Sequence, residues 1–186
     1  MLENLAGWIA ARIKNVVPEH PASYAVLKFA VSIVLNVILV VGCTLLISVI
    51  TGKAAEAVLI LISFALLRQV SGGVHLRSGL GCVLFTTVLF TALSYVQADI
   101  LYVQLMNSLS LLLVLLLAPI GIDKQTRIPA KHWPKLKFIA AALVVTNIFI
   151  ASPVIAGSFM AQAVSLVIVW KKGSGSHRNI SAQSRL

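Results

Sequence analysis

Acidic residues are nearly missing from this chain: five Asp and Glu stand against 15 Lys and Arg in 186 residues, and charged residues of both signs make up only 11%. A soluble core of this size cannot bury what is left. With 59% hydrophobic residues and a mean hydropathy of +0.99, the chain reads as an integral membrane protein. In a soluble domain the net charge of +10 would point to nucleic acid. In a membrane protein it points to basic loops on the cytoplasmic side that touch anionic lipid, and nucleic acid is not an expected partner. Cysteine is scarce as well. Cys43 and Cys82 lie far apart in unlike settings, which excludes a disulfide framework or a zinc quartet. His20, His132 and His177 lack metal-ligand spacing, so neither a metal nor a cofactor is expected. The N-terminus has no short apolar core followed by a small-residue cleavage site, so a cleavable secretory signal is not expected there.

The chain does hold long uncharged runs. Leu2, Leu5, Ile9, Ile13 and Val16 recur at steps of three and four among polar residues, the pattern of an amphipathic helix on the membrane surface, ending before Pro18. Phe29 to Ile50 carries no charge and is long enough to cross the hydrocarbon core. Ala57 to Leu67 rises only about 16 Å as a helix, so a crossing there needs Glu56 and Arg68 snorkelling at its ends. Ser78 to Ala98 and Ile100 to Ile122 form a hairpin of two crossings around Asp99. Phe138 to Trp170 would extend about 50 Å as one helix, and either Ser152-Pro153 or Gly157-Ser158 breaks it in two. The expected fold is all-α and multi-pass, with about six transmembrane helices. Four crossings with re-entrant segments remain an alternative. Residues 1–172 read as a single membrane-embedded domain, and 173–186, rich in Ser, Gly and Arg, as a disordered tail.

Six crossings sort the basic residues. Arg12, Lys14 and Lys28 precede the first; Arg68 and Arg77 follow the second; Lys124, Arg127, Lys131, Lys135 and Lys137 follow the fourth; Lys171, Lys172, Arg178 and Arg185 follow the sixth. Lys53 falls on the other side. By the positive-inside rule both termini and the segment between the second and third crossings are cytoplasmic.

That segment carries the chemistry. From Arg68 to Cys82 the chain places one histidine, His75, and one cysteine among glycines and arginines. The thiolate attacks a carbonyl, and a nearby imidazole or positive charge favours thiolate over thiol. In an unbroken helix His75 and Cys82 would share a face but stand about 10.5 Å apart along the axis, whereas proton transfer needs roughly 3 Å. A direct dyad therefore requires a bend, which Gly72, Gly73, Gly79 and Gly81 make cheap. Spacing alone also fits a packing cysteine and a headgroup histidine. Cys43, mid-helix, reads as a buried thiol, and Asn36 as glue between helices.

Arg68, Gly73, His75 two residues on and Cys82 seven beyond resemble, in identity and spacing, the active-site motif of the accessory gene regulator B family. These are membrane-embedded cysteine endopeptidases that process quorum-sensing peptide precursors in Gram-positive bacteria. Ser78 also fits, and Leu76 departs from the small residue expected after the histidine. Ala118-Pro119-Ile120, Asp123-Lys124 and Arg127-Ile128-Pro129, with the basic run to Lys137, are similar to the family's segment leaving a membrane helix for a basic cytoplasmic loop.

The resemblance implies Cys82 as nucleophile, His75 as general base and then acid, and Arg68, Gly73 and Ser78 as residues shaping the site. The implied substrate is a ribosomal precursor with an amphipathic leader and an acidic C-terminal tail. Its tail would leave and the rest would be held as a thioester, then released by an internal Cys or Ser as a thiolactone or lactone. Lys124, Arg127, Lys131, Lys135 and Lys137 either dock the acidic tail or contact anionic lipid. Of the acids, Glu56 falls on the far side from His75 while Asp123 is open to the same side; a third member of the site is otherwise absent or a backbone carbonyl, and a homodimer in the bacterial cell membrane is the expected assembly. The rival classes are a small permease without proteolysis and a scaffold. The first should show intramembrane ionisable residues, and the four long charge-free runs hold none.

Overall fold

Apolar backbone in lipid has no water to bond with, so long uncharged runs must satisfy their own N–H and C=O groups as helices. The computed structural model describes residues 2–73, 79–120 and 129–183, with residue 130 and residues 172–183 described as backbone alone. These residues form α1 (Leu2–Val16), α2 (Tyr24–Ile50), α3 (Ala54–Ser71), α4 (Gly79–Leu93), α5 (Ile100–Leu117), α6 (Trp133–Ile150) and α7 (Pro153–Gln183), with a 3-10 turn at Ala130–His132 before α6. Helices α2, α3, α5, α6 and α7 are each long and apolar enough to cross a membrane. The protein is an all-α, multi-pass membrane protein.

Two lengths differ from expectation. The second crossing is not short: α3 takes in Glu56 and Arg68 and reaches 18 residues. The third is the short one, because α4 stops at Leu93 after 15 residues, about 22 Å against a hydrocarbon core of about 30 Å. Residues 94–99 then leave the helix, and Asp99 stands extended as the N-cap of α5. Helix α5 also ends early, at Leu117, because the residue ahead of a proline is driven out of the helical region: Ala118 sits at φ −81 and ψ 148. Of the two candidate breaks in the last apolar run, Ser152-Pro153 is the one used, with Ala151 left-handed at φ 56. The apolar window of α7 closes at Lys171, while its helical backbone continues to Gln183.

The chain divides into two compact units, residues 1–57 with 75–92 and residues 58–74 with 93–186. In the first, α1 packs on α2 through its smallest residues, Ala6, Gly7 and Ala10, all buried. A Cβ on Gly7 would meet the Tyr24 hydroxyl at 3.0 Å, so glycine permits this close approach. The larger residues Leu5, Trp8 and Val16 are exposed, and Arg12 lies over the Trp8 ring at 5.3 Å, as suits a helix resting on a membrane interface. Helix α2 buries Asn36, Thr44 and Ser48 on one face and exposes Val34, Val37, Ile38 and Leu46. Polar side chains pack inward and apolar ones face lipid, because helix association in membranes gains from polar contacts rather than from apolar burial.

The second unit is built around Leu67, Val114, Ala118, Ala140, Val144, Ile155, Phe159 and Leu166. Polar clasps tie its helices. The Asn147 amide donates to Asn107 Oδ1 at 3.0 Å and to the Ser152 carbonyl at 3.0 Å, and it accepts from Ser152 N at 3.1 Å, bridging α5 to the α6–α7 turn. Ser63 donates to Ser158 at 2.9 Å, joining α3 to α7.

Candidate active site

Cys82 is the fourth residue of α4. Its thiol is unbridged and half-buried, and it lies in the first helical turn, where the backbone dipoles present their positive end. In the same unit, buried Asn36 reaches from α2 and donates to the Gly79 carbonyl at 3.0 Å, so the turn that carries Cys82 is tied to α2. Leu2 of α1 packs beside it, 3.5 Å from where a Cβ on Gly79 would stand.

In the other unit, α3 unwinds as the motif begins. Gly72 N still donates to the Arg68 carbonyl at 3.0 Å, but Gly72 and Gly73 turn to φ +80 and +132. Only glycine takes those angles cheaply. The position of Gly73 is further restricted, since a Cβ there would fall 2.8 Å from Ser165 Oγ and 3.0 Å from Gln162 Nε2. Arg68 runs alongside, with Nη1 3.6 Å from the same point and its guanidinium 5.9 Å from the Phe64 ring. Arg68 and Gly73 are thus brought together at the turn that ends α3.

Buried carbonyls freed from a helix need new donors. Gln162 on α7, fully buried, donates to the Gly72 carbonyl at 2.6 Å and to Ser71 Oγ at 3.0 Å, while Ser165 donates to Gln162 Oε1 at 3.2 Å. Ile120 N donates to the Ser71 carbonyl at 3.1 Å, and Gly72 pairs with Ile120 in an isolated parallel bridge. The two sequence blocks singled out by motif, one at Arg68–Gly73 and one at Ala118–Ile120, therefore meet at this turn. Gln162, Ser165 and Ser71 were not candidates from sequence. Gln162 stands in the uncharged run before Trp170, and a carboxamide in such a run was the available signal.

His75, Ser78, Lys124 and Arg127 lie outside the described residues. Lys131 sits exposed in the 3-10 turn, Lys135 is exposed in the first turn of α6, and Lys137 follows half-buried. Cations at a helix N-terminus oppose the macrodipole, so helix stability does not explain them. Elsewhere, Glu56 pairs with Lys53 at 2.9 Å, and Cys43 is half-buried within α2 where a buried thiol was expected.

The family model described as accessory gene regulator B matches residues 2–172. A curated protein of Halalkalibacterium halodurans named AgrB-like is 31% identical over 153 residues, covering 81% of this chain and 77% of the relative. The chain belongs to the accessory gene regulator B family. No solved structure matches it. Membership in the accessory gene regulator B family connects the chain to the processing of quorum-sensing peptides at the membrane, and the matched span takes in the motif from Arg68 to Cys82 as well as the turn that Gln162 holds.

Proposed function

We propose that the protein is a membrane cysteine endopeptidase that removes the C-terminal tail of an autoinducing-peptide precursor and closes the remainder into a ring. The observation that carries this reading is the half-buried, unbridged Cys82 in the first turn of α4, seven residues after His75 within a family match spanning residues 2–172. Cys82 Sγ, as thiolate, attacks the carbonyl before the acidic tail, and His75 takes the thiol proton. The C–N bond breaks, His75 returns that proton to the leaving amine, and the tail departs. The acyl group remains on Cys82 as a thioester. The precursor's own thiol or hydroxyl then gives its proton to His75, attacks the thioester carbonyl and expels the Cys82 thiolate, giving a thiolactone or lactone. Tethering makes this attack effectively unimolecular, so ring closure outruns hydrolysis.

Arg68, Gly73 and Ser78 shape the site in this reading. Lys124, Arg127, Lys131, Lys135 and Lys137 offer cations to the acidic tail of the precursor or to anionic lipid. Both termini and the site face the cytoplasm, residues 1–172 act as one peptidase domain ahead of a short tail, and two copies assemble as a homodimer. The reading is tested by purified Cys82→Ala and His75→Ala proteins with their cognate precursor. Each is expected to lose cleavage while still inserting in the membrane, and Cys43→Ala to cleave normally. Full cleavage by Cys82→Ala contradicts the reading.

A further inference from the structure

We propose that Asn36 is a catalytic residue, the side-chain donor of an oxyanion hole for the carbonyl that Cys82 attacks. The inference rests on the reading of Cys82 as the nucleophile, and every residue that forms the hole belongs to the first compact unit. Asn36 stands on α2, seven residues into the uncharged run that starts at Phe29, about 10 Å along the helix. It is 9% exposed, and its Nδ2 donates to the Gly79 carbonyl at 3.0 Å. A carbonyl only accepts, so this bond fixes the NH2 end of the amide toward α4. That nitrogen carries two hydrogens. Gly79 takes one, and the other has no partner among the described residues. Asn147, in the other unit, uses both of its amide hydrogens within the fold.

Helix geometry decides what lies next to that amide. A helical carbonyl points along the axis toward the turn that bears the residues three and four positions on, so a donor bound to Gly79 lies against the turn bearing Cys82 and Val83. Val83 is closed off by packing, whereas Cys82 is half-buried with its thiol unbridged. A substrate carbonyl can therefore reach this turn at the thiol. Attack by Sγ forms the S–C bond and moves the carbonyl π pair onto oxygen; the pair returns as the C–N bond breaks and the amine leaves. Proton traffic is unchanged from the reading above. The same charge develops again when the precursor's own nucleophile attacks the thioester. A donor fixed beforehand near that oxygen lowers both barriers, most of all where water is excluded. The bond to Gly79 does the fixing and leaves the second hydrogen for substrate. The first turn of α4 adds the positive end of its dipole.

The test compares Asn36→Ala and Asn36→Leu with Gln104→Ala, each as purified full chain in lipid on a Cys43→Ala background. Gln104 is a membrane amide that binds the Ile148 carbonyl at 2.9 Å, and its loss should leave kcat unchanged. Two rates are read: cleavage of the cognate precursor, and alkylation of Cys82 by iodoacetamide, a displacement that needs the thiolate but puts no charge on a carbonyl oxygen. Expected for both Asn36 variants are kcat values lower by about a hundredfold to a thousandfold, with KM and the alkylation rate each within about twofold of the parent. Leucine inserts readily in a membrane helix, so Asn36→Leu carries the test if the alanine variant does not fold. Parental kcat in a folded Asn36 variant overturns the inference. So does a fall in alkylation that matches the fall in kcat, which would make Asn36 a residue that places the thiol. Cys82→Ala runs beside them. Cleavage by that protein defeats the enzymatic reading, whereas its inactivity together with normal kcat in the Asn36 variants defeats this inference alone.

Discussion

At the residue scale, Gly73 shows how a single atom constrains the turn that ends α3. Its φ of +132 lies where side chains are rarely tolerated, and a Cβ would overlap Ser165 and Gln162. Backbone strain of this kind costs about 1–3 kcal/mol, and relief requires moving the chain two residues ahead of His75. Gly73→Ala is therefore expected to insert normally and to cut its precursor about a hundredfold more slowly, measured as kcat on purified protein. Wild-type kcat in that variant would mean that the turn is not coupled to the chemistry. The described residues of the motif and their partners were unevenly legible in the sequence. Gly73, Arg68 and Cys82 stand out because their identities and spacing carry the motif. Gln162 does not, since it lies 89 positions from Gly73 in sequence and only the packing of α7 against the end of α3 brings them together. Asn36 was visible as a polar residue at mid-membrane, but its partner, a carbonyl 43 residues away, has no side-chain signature to find.

Among the elements, charge-free length placed the helices well and their ends poorly. The runs that became α2, α6 and α7 were bounded by charges, prolines and turns. Helix α4 was expected to continue to Ala98, because Ser94, Tyr95 and Gln97 break neither hydropathy nor charge, yet the backbone leaves the helix after Leu93. The basic stretch entering α6 illustrates a different limit. Lys131 and Lys135 stand where the helix dipole disfavours them, with Lys137 just beyond, so helix stability gives no reason for the cluster and a partner outside the helix is the natural alternative. If that partner is the acidic tail of the precursor, replacing all three with glutamine raises KM for an acidic-tailed precursor several-fold and flattens its salt dependence, with little change in kcat. Unchanged kinetics with weaker binding to anionic vesicles assigns them to lipid instead.

For the whole molecule, the same inversion recurs: hydroxyls and carboxamides such as Thr44, Ser48, Asn107, Asn147 and Gln162 are buried, while Phe29, Leu46, Phe85, Phe138 and Phe149 face outward. That pattern belongs to a protein whose solvent is lipid. The asymmetry of its basic residues predicts orientation: single cysteines at positions 1, 131 and 186 of a Cys43→Ala, Cys82→Ala protein, and Cys82 itself on Cys43→Ala alone, are protected from impermeant thiol reagents in intact cells, while positions 53 and 99 react. Labelling at 131 from outside would contradict a cytoplasmic site.

The central claim is that Cys82 carries the peptide as a thioester, and the intact mass of the protein measures this directly. Purified enzyme, as Cys43→Ala, is mixed with a precursor whose internal Cys or Ser is replaced by alanine, quenched in acid and weighed. A covalent adduct equal to the precursor less its C-terminal tail is expected, mapped to Cys82, and missing from the Cys82→Ala protein. The unaltered precursor is expected to yield a product lighter by one water than the linear fragment. A linear acid as the sole product, with no adduct on Cys82 at any time, would contradict it.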